Sequence, residues 1–156
     1  MGRQGMAYGL AFASGGLLTL MVLFNGQWAA NGTPLLASWM AHGTGTIAAL
    51  IFLAALRFGR RGAITSPAAT PPIWAYLGGI SGAFTVMLTS TTVNSVLALS
   101  GTLALGLVGQ AGFSLLSDRF GWFGLPRRKI EPTDFGAVAL ILAGSLLIIF
   151  SGRIAA

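Results

Sequence analysis

Apolar residues run almost without interruption in five stretches, and the polar residues gather between them. The stretches cover residues 6–24, 35–56, 74–92, 95–116 and 135–150. A hydrocarbon core about 30 Å thick needs roughly 20 mostly apolar residues to be crossed by a helix. Each stretch therefore reads as a membrane span. The runs are continuous, whereas barrel strands alternate in segments of roughly ten residues. The pattern predicts an all-α membrane protein with five transmembrane helices in a single domain over residues 1–156.

Local signals set the boundaries. Pro34 suits the first position of the second helix. Thr133 or Asp134 is placed to cap the fifth. Asn25 and Gln27 are expected to end the first span, leaving an uncharged loop over 25–34. Asn94 and Ser95 supply turn and cap chemistry between the third and fourth spans, which predicts a tight antiparallel hairpin. The segment ITSPAATPPIW, residues 64–74, reads as a Pro-rich linker. The first apolar run is too long for the core of a secretory signal, and residues 27–30 make a poor cleavage site, so the first helix is expected to be retained.

Composition strengthens the membrane reading. The chain is 54% hydrophobic and only 8% charged, where soluble domains carry about 25% charged residues. The 23 glycines fit closely packed membrane helices. A net charge of +6 could suggest nucleic acid, but the basic residues flank apolar runs and form no stripe with aromatics. With five spans the termini lie on opposite faces. Arg3, Arg57, Arg60, Arg61, Arg119, Arg127, Arg128 and Lys129 then share one face, and Arg153 stands alone on the other. Short cytoplasmic loops accumulate Lys and Arg. The expected orientation in the cytoplasmic (inner) membrane has the N-terminus inside and the C-terminus outside. There is no cysteine, hence no disulfide framework and no thiolate metal site.

Polar groups in hydrocarbon are costly unless partnered, so the few present are informative. Ser38, His42 and Thr46 recur every four positions on the second helix and share a face with Gly45 beside them. Thr102, Gly106, Gln110 and Ser114 repeat the spacing on the fourth. Gly78 and Gly82 form a small-xxx-small pair on the third, and Gly106 and Gly109 are further packing candidates. His42 is the sole histidine. It can satisfy itself on a backbone carbonyl or on Ser38, or it can line a water-filled cavity and carry a proton. Gln110 can bond between helices or contact a substrate. Trp39, Trp74 and Trp122 are expected to anchor or pack at interfaces. No Asp or Glu lies in the middle of a span, which disfavours a cation pump built on a membrane-centred carboxylate. Asp118 is expected to pair with its neighbour Arg119, and Asp134 to cap. No phosphate loop, HExxH or GxSxG motif is present, so no catalytic residue, metal or cofactor is assigned.

The stretches NGQWAANGTPLLASWMAHGTGT, WAYLGGISGAF and ALGLVGQAGFSLLSDRFGWFGLPRR together resemble the five-helix YdcZ-type branch of the drug/metabolite transporter superfamily. The family pattern falls on Asn25, Gly26, Gly45, Thr46, Trp74, Gly78, Gly79, Gly82, Gly109, Gln110, Asp118, Gly121 and Gly124. His42 stands where members usually carry an apolar residue, so it is either specific to this chain or incidental. The resemblance implies half of a ten-helix transporter, completed by an antiparallel dimer. Because the charge bias predicts a single orientation, the expected partner is a homologous subunit of opposite orientation, with a homodimer as the other possibility. The chain contains no inverted second half of its own.

Two functions are weighed. The first is a secondary transporter of small organic molecules, an exporter working by alternating access. Its substrate cavity would be lined by Ser38, His42, Thr46, Gln110, Ser114 and Asn25. Hydroxyl and amide groups without a carboxylate favour a neutral or amphiphilic substrate. The second is a non-transporting membrane subunit that stabilises or regulates a partner, with the polar stripes filled by direct helix–helix bonds. A wet pocket of several hundred Å³ touching both His42 and Gln110 would count against the second, and a dry, filled interior against the first.

Overall fold

A computed structural model describes residues 2–59 and 72–154. Every element in it is helical: α1 (Arg3–Ala30), α2 (Pro34–Gly59), a 3-10 turn (Ile73–Leu77) leading into α3 (Gly78–Val93), α4 (Ala98–Phe120), a second 3-10 turn (Trp122–Gly124) and α5 (Pro132–Ile154). Five of these segments are long and apolar enough to cross a membrane: Gln4–Ala30, Pro34–Phe58, Ile73–Val93, Ala98–Phe120 and Pro132–Ser151. Arg60, Arg61 and most of the Pro-rich linker lie outside the described residues.

The chain divides into two compact units, Met1–Thr91 and Thr92–Ala156. The first holds α1, α2 and nearly all of α3, with α1 packed along α2. The second holds α4 packed along α5.

The end of α1 differs from the sequence expectation. The helix runs through Asn25 and Gln27 to Ala30, leaving only residues 31–33 as a connection. Asn25 and Gly26 are buried, so this polar pair packs within the unit and does not turn the chain. The stop comes at the next Asn-Gly. Asn31 closes the helix twice onto Gln27 O, with its backbone N–H at 3.2 Å and its Nδ2 at 2.9 Å. Thr33 then caps α2, its Oγ1 accepting Leu36 N–H at 3.1 Å, and Pro34 takes the first helical position as expected.

α4 begins at Ala98 rather than Ser95. Ser95 is spent on the preceding turn, donating from its backbone N–H and its Oγ to Thr92 O at 3.1 and 2.6 Å. Its carbonyl accepts Ala98 N–H at 3.1 Å. The chain passes through a left-handed φ of +50° at Ala98, a strained conformation for a residue with a Cβ. At the other end, Gly121 closes α4 with φ +66° and an N–H donated to Ser117 O at 2.8 Å. A Cβ there would stand 2.7 Å from Arg127 Cγ as well as being strained.

α5 begins at Pro132, three residues before the expected 135. Asp134 caps it by accepting Glu131 N–H at 2.8 Å. Its other oxygen accepts from Arg128 Nη2 at 2.6 Å. Asp118 pairs with this same Arg128, Nε to Oδ2 at 3.7 Å, and not with its neighbour Arg119 as the sequence suggested. Adjacent residues on a helix point away from each other, while the loop carries Arg128 back to the end of α4. There its backbone N–H donates to Asp118 O at 2.8 Å. The hydrogen bond to Asp134 and that carboxylate's charge raise the Arg128 guanidinium above its ordinary value, so it stays charged at any working pH.

Packing follows the logic of a lipid solvent. The buried positions are small or polar: Val22, Asn25, Ala37, Ser38, Val86, Ser90, Thr102, Ala104, Ser117 and Ser145. The large apolar side chains point out, with Phe12 at 87% and Leu140 at 76% exposure. In water this inversion would be untenable. In lipid, association is driven by close approach of small residues and by interhelical hydrogen bonds, and Leu or Phe gains nothing by moving inward. Ser145 on α5 makes such a bond, its Oγ donating to Ala104 O on α4 at 3.1 Å.

Candidate functional site

The expected polar stripe of α2 lies on one face, in the first unit. Ser38 is buried and its Oγ donates to Ala83 O of α3 at 3.4 Å, a long bond. His42 stands one turn on, exposed, with Nδ1 2.8 Å from Ser38 O. A carbonyl oxygen only accepts, so Nδ1 carries the hydrogen. In the Nδ1–H tautomer the other ring nitrogen, Nε2, is an acceptor. Thr46 is exposed another turn along, and its Oγ1 donates to His42 O at 2.7 Å. Each polar residue of the stripe is thus tied to the carbonyl of a preceding turn or of α3, a usual resolution for hydroxyls in apolar helices.

Two clefts meet at His42. The larger, about 640 Å³, runs between α2 and α3 and is lined by Ser38, Trp39, His42, Thr46, Gly79, Ala83 and Met87, among others. The smaller, about 290 Å³, also reaches His42. Its lining comprises Met21 of α1, Ala41 and His42 of α2, and Gly78, Ser81, Gly82, Thr85 and Val86 of α3. The imidazole is common to both clefts. Gly82 makes room for it: a Cβ built there would lie 3.1 Å from Nε2.

The remaining expected residues are distributed differently. Asn25 is buried on the α1–α2 side, beside a cleft of about 580 Å³ that it lines with Met21, Trp28, Thr44 and Gly45. Its Nδ2 has no hydrogen-bond partner among the described residues. Gln110 and Ser114 belong to the second unit, where both are exposed on α4. The Ser114 hydroxyl turns back to Ala111 O at 3.0 Å. Gly78, Gly106 and Gly109 have no described atom within 4 Å of where a Cβ would stand. The close approach in the second unit is made instead at Gly101, where a Cβ would lie 3.7 Å from Ile149 Cγ1 of α5.

Sequence reasoning missed Ser81 and Thr85. They stand four apart on α3, exposed, on the same cleft as His42. The repeat Ser81-Thr85-Thr89 was visible as an i, i+4 hydroxyl ladder, with Thr85 Oγ1 on Ser81 O at 2.9 Å and Thr89 Oγ1 on Thr85 O at 2.7 Å. It was masked by the paired glycines, which read as a packing surface. Ser145 was also missed, because a single serine carries no periodicity.

Five apolar helices, with small and polar residues inside and large apolar ones outside, define a multi-pass membrane protein. The chain belongs to the DMT_YdcZ family, described as "Putative inner membrane exporter, YdcZ", which it matches over residues 6–147. The five apolar helices and this family description together make it a multi-pass protein of the inner membrane. No curated protein and no solved structure matches the chain.

Proposed function

We propose that the protein is a secondary transporter that moves small organic molecules out of the cell by alternating access. The observation that carries this reading is the position of His42. The chain's one imidazole lies within an apolar helix, yet its ring is exposed at the junction of two clefts. A residue placed only to hold two helices together would be enclosed by them. A polar group opening on a cleft within a span is the arrangement of a substrate or ion pathway.

The working unit in this proposal is a dimer. Ser38, His42 and Thr46 of α2 would line its midplane cavity, and rocking would expose it to each side in turn. The eight-to-one distribution of basic residues supports a single orientation with the N-terminus cytoplasmic. One-way insertion in turn favours an oppositely oriented homologous subunit as partner over a second copy of this chain.

Uptake into inside-out vesicles of the native membrane, where the partner is present, tests the proposal. Vesicles enriched in the protein should accumulate at least one compound from a panel of labelled organic molecules, and His42→Ala should remove the excess. Equal accumulation with and without the protein, across the panel, would sink it. Such a result would favour the second reading, a non-transporting subunit that stabilises or regulates a partner. That reading draws on Ser38 and Ser145, whose hydroxyls bond directly across helix pairs.

A further inference from the structure

Every polar hydrogen on the side chains of the smaller cleft is already committed. Ser81 Oγ donates to Gly78 O at 3.0 Å and Thr85 Oγ1 to Ser81 O at 2.9 Å. The Nδ1–H of His42 goes to Ser38 O at 2.8 Å. All three acceptors are backbone carbonyls, so the hydrogens are fixed on the protein side of each contact. With those hydrogens committed, what the lining side chains can still offer a guest are lone pairs: two hydroxyl oxygens, the Nε2 of the Nδ1–H tautomer and the thioether of Met21. The other lining residues, Ala41, Gly78, Gly82 and Val86, have no polar side-chain atom. The larger cleft differs, because its lining includes Trp39, whose indole N–H is a donor.

The lining also lacks charge. No carboxylate borders the cleft, so a permanent cation would enter without a counter-ion, and no cationic side chain borders it to receive an anion. An uncompensated charge within a membrane span is expensive. The volume of about 290 Å³ lies at the lower edge of the roughly 300–1,000 Å³ typical of ligand pockets, which suits a body of about one ring.

We propose that this cleft recognises small uncharged molecules through their own N–H or O–H groups, with Ser81, Thr85 and His42 Nε2 as the accepting wall. The inference rests on the transporter reading and gives that transporter a substrate class. Methylating the donor nitrogen or oxygen of such a molecule leaves the wall's acceptors unmatched, while the apolar body still fits. Adding a fixed charge of either sign excludes it.

The test is equilibrium binding to the purified full chain in lipid nanodiscs. The labelled donors are benzamide, indole and phenol, and their competitors are N,N-dimethylbenzamide, 1-methylindole and anisole. Benzoate and trimethylphenylammonium supply the two fixed charges. At least one donor should bind, and its methylated counterpart should compete about tenfold more weakly or worse. The two ions should not compete. Thr85→Val, which keeps the shape, and Ser81→Ala should each weaken donor binding about two- to tenfold and leave the methylated compounds unaffected. His42→Phe should abolish the preference.

Equal binding of donor and methylated forms, or tighter binding of an ion, overturns the inference and leaves the transporter reading standing. Absence of binding by all three donors also overturns it. Vesicle uptake then decides whether the transporter reading falls with it or survives on another site.

Discussion

The Nε2 of His42 stands 3.1 Å from where a Cβ on Gly82 would lie, so a side chain at this position of α3 would crowd the imidazole on α2. Gly82→Ala would push the ring by a few tenths of an ångström, against a 2.8 Å bond to Ser38 O. The helix itself tolerates the change, since alanine is the better helix former by about 1 kcal/mol in water. The variant should fold with undiminished thermal stability and lose about three- to tenfold in uptake. A stable variant with full activity would show that the ring position is immaterial.

The two direct interhelical serines rank by geometry. Ser145 Oγ reaches Ala104 O at 3.1 Å, and Ser38 Oγ reaches Ala83 O at 3.4 Å. Measured interhelical bonds in membranes average about 0.6 kcal/mol. Ser145→Ala should cost about that much in a denaturation series, and Ser38→Ala less. The reverse order would mean that Ser38 has a further partner in the assembled protein.

Asn25 makes the opposite case. Its Nδ2 is buried without a hydrogen bond among the described residues. Leaving a buried donor unmet costs about 1–3 kcal/mol, so Asn25→Leu should raise the stability of the isolated chain by about 1 kcal/mol. If stability falls instead, the amide is satisfied by a partner in the working assembly.

Arg128 ties the end of α4 to the start of α5 through Asp118 and Asp134. Its removal frees the loop that carries Arg127 and Lys129. Arg128→Ala should be cut there by trypsin faster than the natural chain, and Arg128→Gln, which keeps donors for Asp134, should be cut at an intermediate rate. Trypsin should reach the site from the cytoplasmic side only. Unchanged digestion of Arg128→Ala would show that the loop is held by other contacts.

Much of this was legible in the sequence, for reasons that differ by residue. Apolar runs declare spans because lipid demands them. Thus all five helices, the Pro34 start and the Asp134 cap could be read directly. The α1 end was misplaced because Asn25-Gly26 and Asn31-Gly32 carry the same turn signal, and only burial of the first pair distinguishes them. Asp118 was paired with the wrong arginine because nearness in sequence says nothing about where a loop returns. Ser38, His42 and Thr46 were found by their spacing. Ser81 and Thr85 were missed because the cleft they line with His42 is a property of two helices and of neither alone.

The most direct measurement is the water accessibility of that shared cleft. The natural chain has no cysteine, so Ser81→Cys or Thr85→Cys places one thiol on its wall. The variant would be inserted in sealed vesicles and treated with a membrane-impermeant thiol reagent on one side at a time. Alternating access predicts modification from both sides, with a bound donor molecule slowing it. Modification from neither side would mean a dry, filled interior and would contradict the transporter account.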